Sequence, residues 1–350
     1  MKICLVCASG GHLTEMLKIS DAFKDKDVFL ITYEEEFLSK YSLCNSSYNI
    51  NRVYFIKNYV VSSINKKKLV KLLNYIRQIL VLFAEEILIF IREKPDIIIS
   101  TGSGIAIPIF IFAKPFRRKL IFIESLCRIK NLSMTARIIL PIVDIMLVQW
   151  KDLVRKYKKA RYEGNILKLN FMKQSNTYVN ENSEDFIFVT AGTSSFYRLI
   201  QKMDEYAGQT GKNIIIIIGR TEYKPHHSKY FKFIEKEYYS TLIQKAKIVV
   251  THAGIGTIIE VLESNKPMII VPRSKDLDEA FDNHQQEIAE LMKGFPNVKV
   301  VYSVNEIPQA IESLQKTSFI YKQYDLPYDR GRLIKFLRDY LDKEEKLQKK

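Results

Sequence analysis

The chain has 350 residues, 47% of them hydrophobic and 27% charged, and 54 Lys and Arg against 39 Asp and Glu give it a net charge of +15. That length allows two domains, each with a full core. There are four cysteines, and no second pair stands beside Cys4 and Cys7 to complete a zinc site; the thiols read as buried groups of a reducing compartment rather than a disulfide framework.

Lys2-Ile3-Cys4-Leu5-Val6-Cys7-Ala8 reads as an opening strand that Met1 enters directly, with no signal peptide. It runs into Ser9-Gly10-Gly11-His12, and residues 13–23 have helical spacing. A second strand, Asp96-Ile97-Ile98-Ile99-Ser100, ends in Thr101-Gly102-Ser103-Gly104. A third, Leu120-Ile121-Phe122-Ile123, leads into Glu124-Ser125-Leu126-Cys127-Arg128, and Val148-Gln149-Trp150 follows. The polar stretch 173–184 reads as a linker. Beyond it Phe186-Ile187-Phe188-Val189 runs into Thr190-Ala191-Gly192-Thr193, and 214–218 is a continuous apolar run, as expected of a strand covered on both faces. Ala246-Lys247-Ile248-Val249-Val250 is another buried strand. The turn Thr251-His252-Ala253-Gly254-Ile255-Gly256-Thr257, a helix through 258–263, Lys266-Pro267 and the strand Met268-Ile269-Ile270-Val271-Pro272-Arg273 come next. The polar run Glu279-Ala280-Phe281-Asp282-Asn283-His284-Gln285-Gln286-Glu287 follows, and 328–350 reads as a charged helix. Strands alternating with helices make the class α/β.

The glycine turns between strand and helix carry most of the chemistry. Glycine lets the backbone turn tightly and approach a ligand, and the following helix start adds free N–H donors and partial positive charge, which suits a diphosphate. Gly254-x-Gly256 lacks the third glycine of the dinucleotide fingerprint, so a nicotinamide-dependent enzyme with two Rossmann-like halves is disfavoured. The side chains of Asp282, Asn283, His284 and Gln285 can read sugar hydroxyls, or Asp282 can simply cap a solvated helix. His12 follows two glycines and titrates near neutral pH, which makes it a candidate general base; capping its own helix is the alternative. Glu15, one turn on, either orients His12 or is itself the base. Asp276-Leu277-Asp278 reads as loop charge rather than a metal site.

The basic balance has a location. Lys66, Lys67, Lys68 and Lys71 adjoin the apolar residues of 69–83, and the apolar run 105–112 is followed by Lys114, Arg117, Arg118 and Lys119. Apolar helix with basic flanks points to an anionic membrane surface; a solvated lysine face over core residues is the other reading. No apolar run reaches the roughly 18 residues that span a bilayer, and no nucleic-acid motif is present.

The second-half set HAGIGT, KP, VPR and DNHQ resembles the donor-binding half of GT-B glycosyltransferases of family 28. The first-half set SGGH, PDIIISTGSG, IESLCR and VQW resembles the membrane-recruiting, acceptor-side subunit of the two-part UDP-GlcNAc transferase of dolichol-linked glycan synthesis. The two sets span nearly the whole chain, as in a natural fusion of the two subunits and in bacterial capsule and exopolysaccharide transferases. No membrane anchor precedes Lys2, a departure from the eukaryotic subunit. The resemblance implies two Rossmann-like parallel-sheet domains facing a central cleft: 1–172 on the acceptor side, the linker 173–184, a UDP-sugar domain at 185–327, and a last helix at 328–350 crossing back to the first.

It further implies an inverting, metal-independent transfer from a UDP-sugar to a polyprenyl-diphosphate-linked saccharide, with no cofactor, by a peripheral protein of the cytoplasmic membrane face. His252, Gly254, Gly256 and Thr257 would meet the diphosphate, with Gly192 and Thr193 assisting. Glu260 would accept from the ribose hydroxyls or else be a helix-surface glutamate. Arg273 would pair with phosphate or hold its loop. Gly10, Gly11, Thr101, Gly102, Ser103 and Gly104 would form the acceptor side, with Glu124, Ser125 and Arg128 close by. The sugar stays open between GlcNAc, galactose, glucose and glucuronate, the last wanting a cation such as Arg220, Arg273 or His284. A homo-oligomer is also left open. The alternative of another class is a non-catalytic recruiter or scaffold that brings a separate transferase to the membrane.

Overall fold

The computed structural model describes residues 1–35, 38, 43–44, 48–59, 68–167, 184–280, 284–316 and 329–349, without the side chains of 68, 69, 71, 72 and 284. It divides into two compact units: Met1–Ile166 together with Tyr328–Lys350, and Leu167–Pro327.

Unit 1 holds a seven-stranded sheet in the order β3-β2-β1-β4-β5-β6-β7, with every pairing parallel. Its strands are β1 (Lys2–Cys7), β2 (Asp27–Tyr33), β3 (Arg52–Ile56), β4 (Ile97–Gly102), β5 (Lys119–Ile123), β6 (Ile145–Leu147) and β7 (Ala160–Arg161). β4 is buried end to end, and β1 and β5 are buried beyond their first lysines, because helices cover both faces of a parallel sheet. Those helices are α1 (Gly11–Lys18), α2 (Lys68–Glu93), α3 (Ala106–Ala113), α4 (Met134–Ile139) and α5 (Lys151–Lys156). The helical spacing expected over 13–23 stops at Lys18, and a 3-10 turn over Ser20–Phe23 follows.

The run 105–112 takes the second of its two readings, apolar residues in the core, and not the membrane-facing one. It forms α3, whose Ala106, Ile109 and Phe110 are fully buried in the unit 1 core. An all-round apolar helix belongs inside. Only Ile111 of this stretch is exposed. At the rim of α2, the Glu93 carboxylate takes hydrogen bonds from Lys2, Arg52 and Tyr54.

Unit 2 repeats the plan with six parallel strands in the order β10-β9-β8-β11-β12-β13. They are β8 (Ile187–Thr190), β9 (Ile214–Ile217), β10 (Lys229–Phe231), β11 (Ile248–Thr251), β12 (Met268–Ile270) and β13 (Val298–Val300). The helices are α6 (Tyr197–Thr210), α7 (Lys236–Lys245), α8 (Ile255–Glu263), α9 (His284–Met292) and α10 (Ile307–Lys316).

The last helix, α11 (Arg330–Gln348), belongs to unit 1. It buries Leu333, Leu337 and Leu341, and its Asp342 and Glu345 hold Lys26. Gly164, at φ +100°, lets the chain pass so close to the start of α11 that a Cβ there would overlap the Asp329 carbonyl. In both units the strand order reverses beside the first strand, at β1/β4 and at β8/β11. Open α/β sheets bind ligands at the carboxyl ends of the strands flanking such a reversal. All four glycine turns singled out above follow these four strands.

Candidate functional site

In unit 1 the turns after β1 and β4 are joined through His12. Its Nδ1 lies 2.9 Å from the Thr101 carbonyl, and the Thr101 hydroxyl returns a 2.7 Å bond to the His12 carbonyl. A carbonyl only accepts, so Nδ1 carries the proton and the neutral ring leaves Nε2 as an acceptor. The ring lies over Gly102, where an added Cβ would sit 2.7 Å from His12 Cε1 and 2.8 Å from Nδ1. Gly102 also has φ +126°, a backbone that other residues rarely adopt. Gly10 turns the chain into α1 at φ 79°. Ser103 also has positive φ, and the space beside Gly104 is open.

Glu15 sits below His12. It is fully buried, and its Oε2 lies 3.5 Å from His12 Nδ1. Oε1 accepts from Ser125 Oγ at 3.0 Å and from the Leu126 N–H at 2.8 Å. Of the two roles open to Glu15, this geometry fits the orienter: a carboxylate with no exposure does not reach a substrate hydroxyl. Burial pulls the His12 pKa down, but the bond to Glu15, its charge, the Thr101 carbonyl and the Glu124 charge together outweigh burial and raise it above the ordinary imidazole value. The side chain keeps 33% of its surface exposed, so the ring faces solvent on one side.

Glu124 and Ser125 face inward. Glu124 takes the Ser125 N–H at 2.9 Å and the Ser133 N–H at 2.7 Å, so its carboxylate organises the 124–133 loop instead of facing an acceptor. Burial raises its pKa against those amide bonds. Arg128 is half-buried, on the turn closed by its N–H to the Ser125 carbonyl.

Unit 2 repeats the glycine–imidazole packing. His252 is 8% exposed and lies between two glycines. A Cβ on Gly192 (φ +66°) would come 2.5 Å from its Cε1, and one on Gly254 would overlap its Nε2. Gly254 caps α8, whose first-turn N–H groups belong to Ile255, Gly256 and Thr257 and have no intrahelical acceptor. The Thr257 hydroxyl is turned away into a 2.7 Å bond with Tyr239, so Thr257 offers its amide rather than its side chain. Thr193 is half-buried and its carbonyl receives Arg220 Nη1 at 3.1 Å. Glu260 is half-buried on the next turn of α8, 3.4 Å from Ser240 Oγ.

Arg273 holds its loop. Only 5% exposed, it donates from Nη2 to the Ala191 carbonyl at 2.6 Å, drawing the turn after β8 toward the strand end of β12. Burial lowers its pKa to about 10, so it stays charged at neutral pH. The Arg273 N–H in turn donates to Gln285 Oε1 at 2.9 Å, which occupies that side of the Gln285 amide. Asp282 and Asn283 lie outside the described residues, as does the His284 side chain. Asp276 and Asp278 are exposed on a short 3-10 turn.

Sequence reading missed the groups that brace these turns. Arg198 grips Glu279 with two bonds, at 2.6 and 3.1 Å, and donates to the Pro272 carbonyl. Asp204, fully buried in α6, takes the amides of His226 and His227. Each pair is separated by tens of residues, and no local motif announces it.

Residues 3–166 match the family model described as oligosaccharide biosynthesis protein Alg14 like. The UDP-N-acetylglucosamine transferase subunit alg14 of Schizosaccharomyces pombe is 32% identical over 170 residues, 45% of this chain and 79% of its own length. The chain belongs to the Alg14-like family. This Alg14-like chain also matches, over residues 186–346, the glycosyltransferase family 28 C-terminal domain, so it joins the two parts in one polypeptide. A Prochlorococcus marinus protein named UDP-N-acetylglucosamine--N-acetylmuramyl-(pentapeptide) pyrophosphoryl-undecaprenol N-acetylglucosamine transferase is 25% identical over 301 residues, 81% of this chain and 78% of its own. The UDP-N-acetylglucosamine 2-epimerase of Rickettsia bellii superposes with TM-score 0.65 at 11% identity, covering 98% of this chain and 95% of that one. At that identity the likeness shows the shared GT-B fold and no activity.

The Alg14-like unit carries one more surface feature. On α2 the residues Leu73, Ile76, Leu80, Leu88 and Ile91 are exposed, at spacings of three, four and eight that keep them near one face of the helix. Arg77 and Arg92 are exposed beside them. Of the lysines expected there, Lys66 and Lys67 lie outside the described residues, and the side chains of Lys68 and Lys71 are not described. No helix among the described residues is long and apolar enough to cross a membrane.

Proposed function

We propose that this UDP-sugar glycosyltransferase moves its sugar onto a saccharide carried by polyprenyl diphosphate, with inversion and without a metal or cofactor. The observation that carries the reading is His12, its tautomer fixed by Thr101 and its Nε2 left to accept a proton, on the turn beside Gly102. The acceptor hydroxyl attacks C1 of the donor while its proton passes to His12 Nε2. A new O–C1 bond forms, the bond from C1 to the diphosphate oxygen breaks, and UDP leaves with the electron pair. The N–H groups of Ile255, Gly256 and Thr257 at the start of α8 meet the negative charge that develops on the leaving diphosphate. Gly254 and Gly192 let the backbone approach it, His252 stands beside it, and Glu260 takes the ribose hydroxyls. The turn 101–104 receives the acceptor pyrophosphate. Gln285 and its neighbours Asp282, Asn283 and His284 read the sugar.

The names of the relatives support this assignment. Both name UDP-N-acetylglucosamine, and the Prochlorococcus marinus name adds pyrophosphoryl-undecaprenol, so UDP-GlcNAc is the first donor to test. We assign the protein to the cytoplasmic face of the membrane, in lipid-linked glycan, capsule or exopolysaccharide synthesis, held peripherally by the apolar face of α2 and the basic residues around it. Thermal-shift measurement with a panel of UDP-sugars, followed by transfer assays on defined polyprenyl-diphosphate saccharides, tests the reading. Stabilisation by one UDP-sugar and a product carrying that sugar support it. Recruitment of a separate transferase by a chain that binds no UDP-sugar overturns it in favour of a scaffold.

A further inference from the structure

The Glu15 carboxylate that faces His12 is held in turn by groups that sequence reading gave no such part. Ser125 Oγ–H and the Leu126 N–H both donate to Oε1. Residue Leu126 is held again at its next peptide group, where the indole N–H of Trp150 donates to the Leu126 carbonyl at 2.8 Å. Trp150 is 8% exposed and Ser125 is 5% exposed, so neither reaches a substrate freely. The line of contacts runs from Trp150 through the backbone of Leu126 to Glu15, and from Glu15 to the imidazole. A buried polar chain of this kind keeps its geometry only while every member has its partner.

We propose that Trp150 and Ser125 are positioning residues that hold the Glu15 carboxylate against His12 Nδ1. The inference rests on the reading of His12 as the base for its catalytic consequence, though not for its geometry. The titratable groups facing the ring are Glu15 from its own helix and Glu124 from the end of β5. The Cys7 thiol of β1 and the Cys127 thiol lie near Glu15, but burial pushes both up to about 12, so they stay neutral. A Glu15 carboxylate that loses its donors is no longer fixed against His12 Nδ1, and a carboxylate that swings away supports the imidazolium less. The imidazole then protonates at lower pH and is less well aimed.

The test uses the full chain with Trp150→Phe, which keeps the ring and removes the N–H, and Ser125→Ala beside it. Each is expected to lower kcat roughly three- to tenfold with the donor KM unchanged, and to move the acid limb of the pH–rate profile downward. The second readout is the His12 imidazole titration by NMR, assigned with His12→Gln, whose midpoint falls in both variants. Trp150 is the only tryptophan of the chain, so its emission gives a third. It steps where His12 titrates, and His12→Gln removes the step. Unchanged His12 titration in both folded variants overturns the proposal, and if Trp150→Phe fails to fold, Ser125→Ala decides alone. If the titration moves but His12→Ala keeps full turnover, the positioning stands and the base assignment falls.

Discussion

The two units make the same local structure and equip it differently. Each lays an imidazole against a glycine of positive φ at the reversal of strand order: His12 over Gly102, and His252 over Gly192. In unit 1 the ring is part exposed, has a buried carboxylate beneath it and a carbonyl that fixes its tautomer. In unit 2 it is nearly buried, and a helix start with open amides follows it. The first arrangement suits a group that exchanges a proton, the second one that receives a fixed anion. Shared folding logic therefore sets where each ring stands, and the neighbours decide what it does.

The sharpest way to break this comparison is to remove the first ring. His12→Ala should lower kcat roughly 10²–10⁴-fold with UDP affinity nearly intact. A variant that keeps most of its turnover would remove the base from unit 1. Activity of the unaltered enzyme should fail at acid pH. The His12 pKa is raised, so the loss sets in as pH drops through a midpoint above the ordinary imidazole value. A pH–rate profile without that limb points to a different base. Glu15→Gln should cost less than His12→Ala, as expected of an orienting group.

Glu260→Ala strikes the other unit. With Glu260 taken as the proposed ribose ligand, the change should cost about 1.5–3 kcal/mol, or roughly ten- to a hundredfold in donor KM, with the fold intact. An unchanged KM returns Glu260 to the helix surface. A finer test exchanges the glycines. Gly102→Ala should reduce kcat about tenfold by pushing His12 aside, while Gly192→Ala should weaken UDP binding by a similar factor. If both variants change the same constant, the division of labour is wrong. The smallest effect concerns the membrane. Raised salt should release part of the protein from anionic vesicles, since screening weakens lysine and arginine attraction. Equal flotation with neutral vesicles would leave the apolar face of α2 as the whole attachment.

The strands around the glycines were legible because β-branched runs such as 97–99 and 248–250 admit little else. The turns after them were legible because their glycines sit where strand gives way to helix. The run 105–112 left two readings open because a helix apolar on every side carries no periodicity to say which side is covered. The bracing of the site was beyond reach for another reason. Glu15 meets Ser125 across 110 positions, and Arg198 meets Glu279 across 81. Nothing local distinguishes those residues from any other glutamate, serine or arginine. Arg273 shows the intermediate case: its two readings were both open, and only the position of the Ala191 carbonyl favours the loop.

The return of α11 to unit 1 makes residues 167–327 an insertion within that unit. A ribosome therefore delivers all of unit 2 before the helix that completes unit 1. Until then the surface that receives Leu333, Leu337 and Leu341 stays open. A premature stop near residue 329 would leave unit 2 whole and cripple unit 1, although the lost residues adjoin unit 2 in sequence. Cutting the gene between its two family matches would likewise yield one finished half and one missing its last helix.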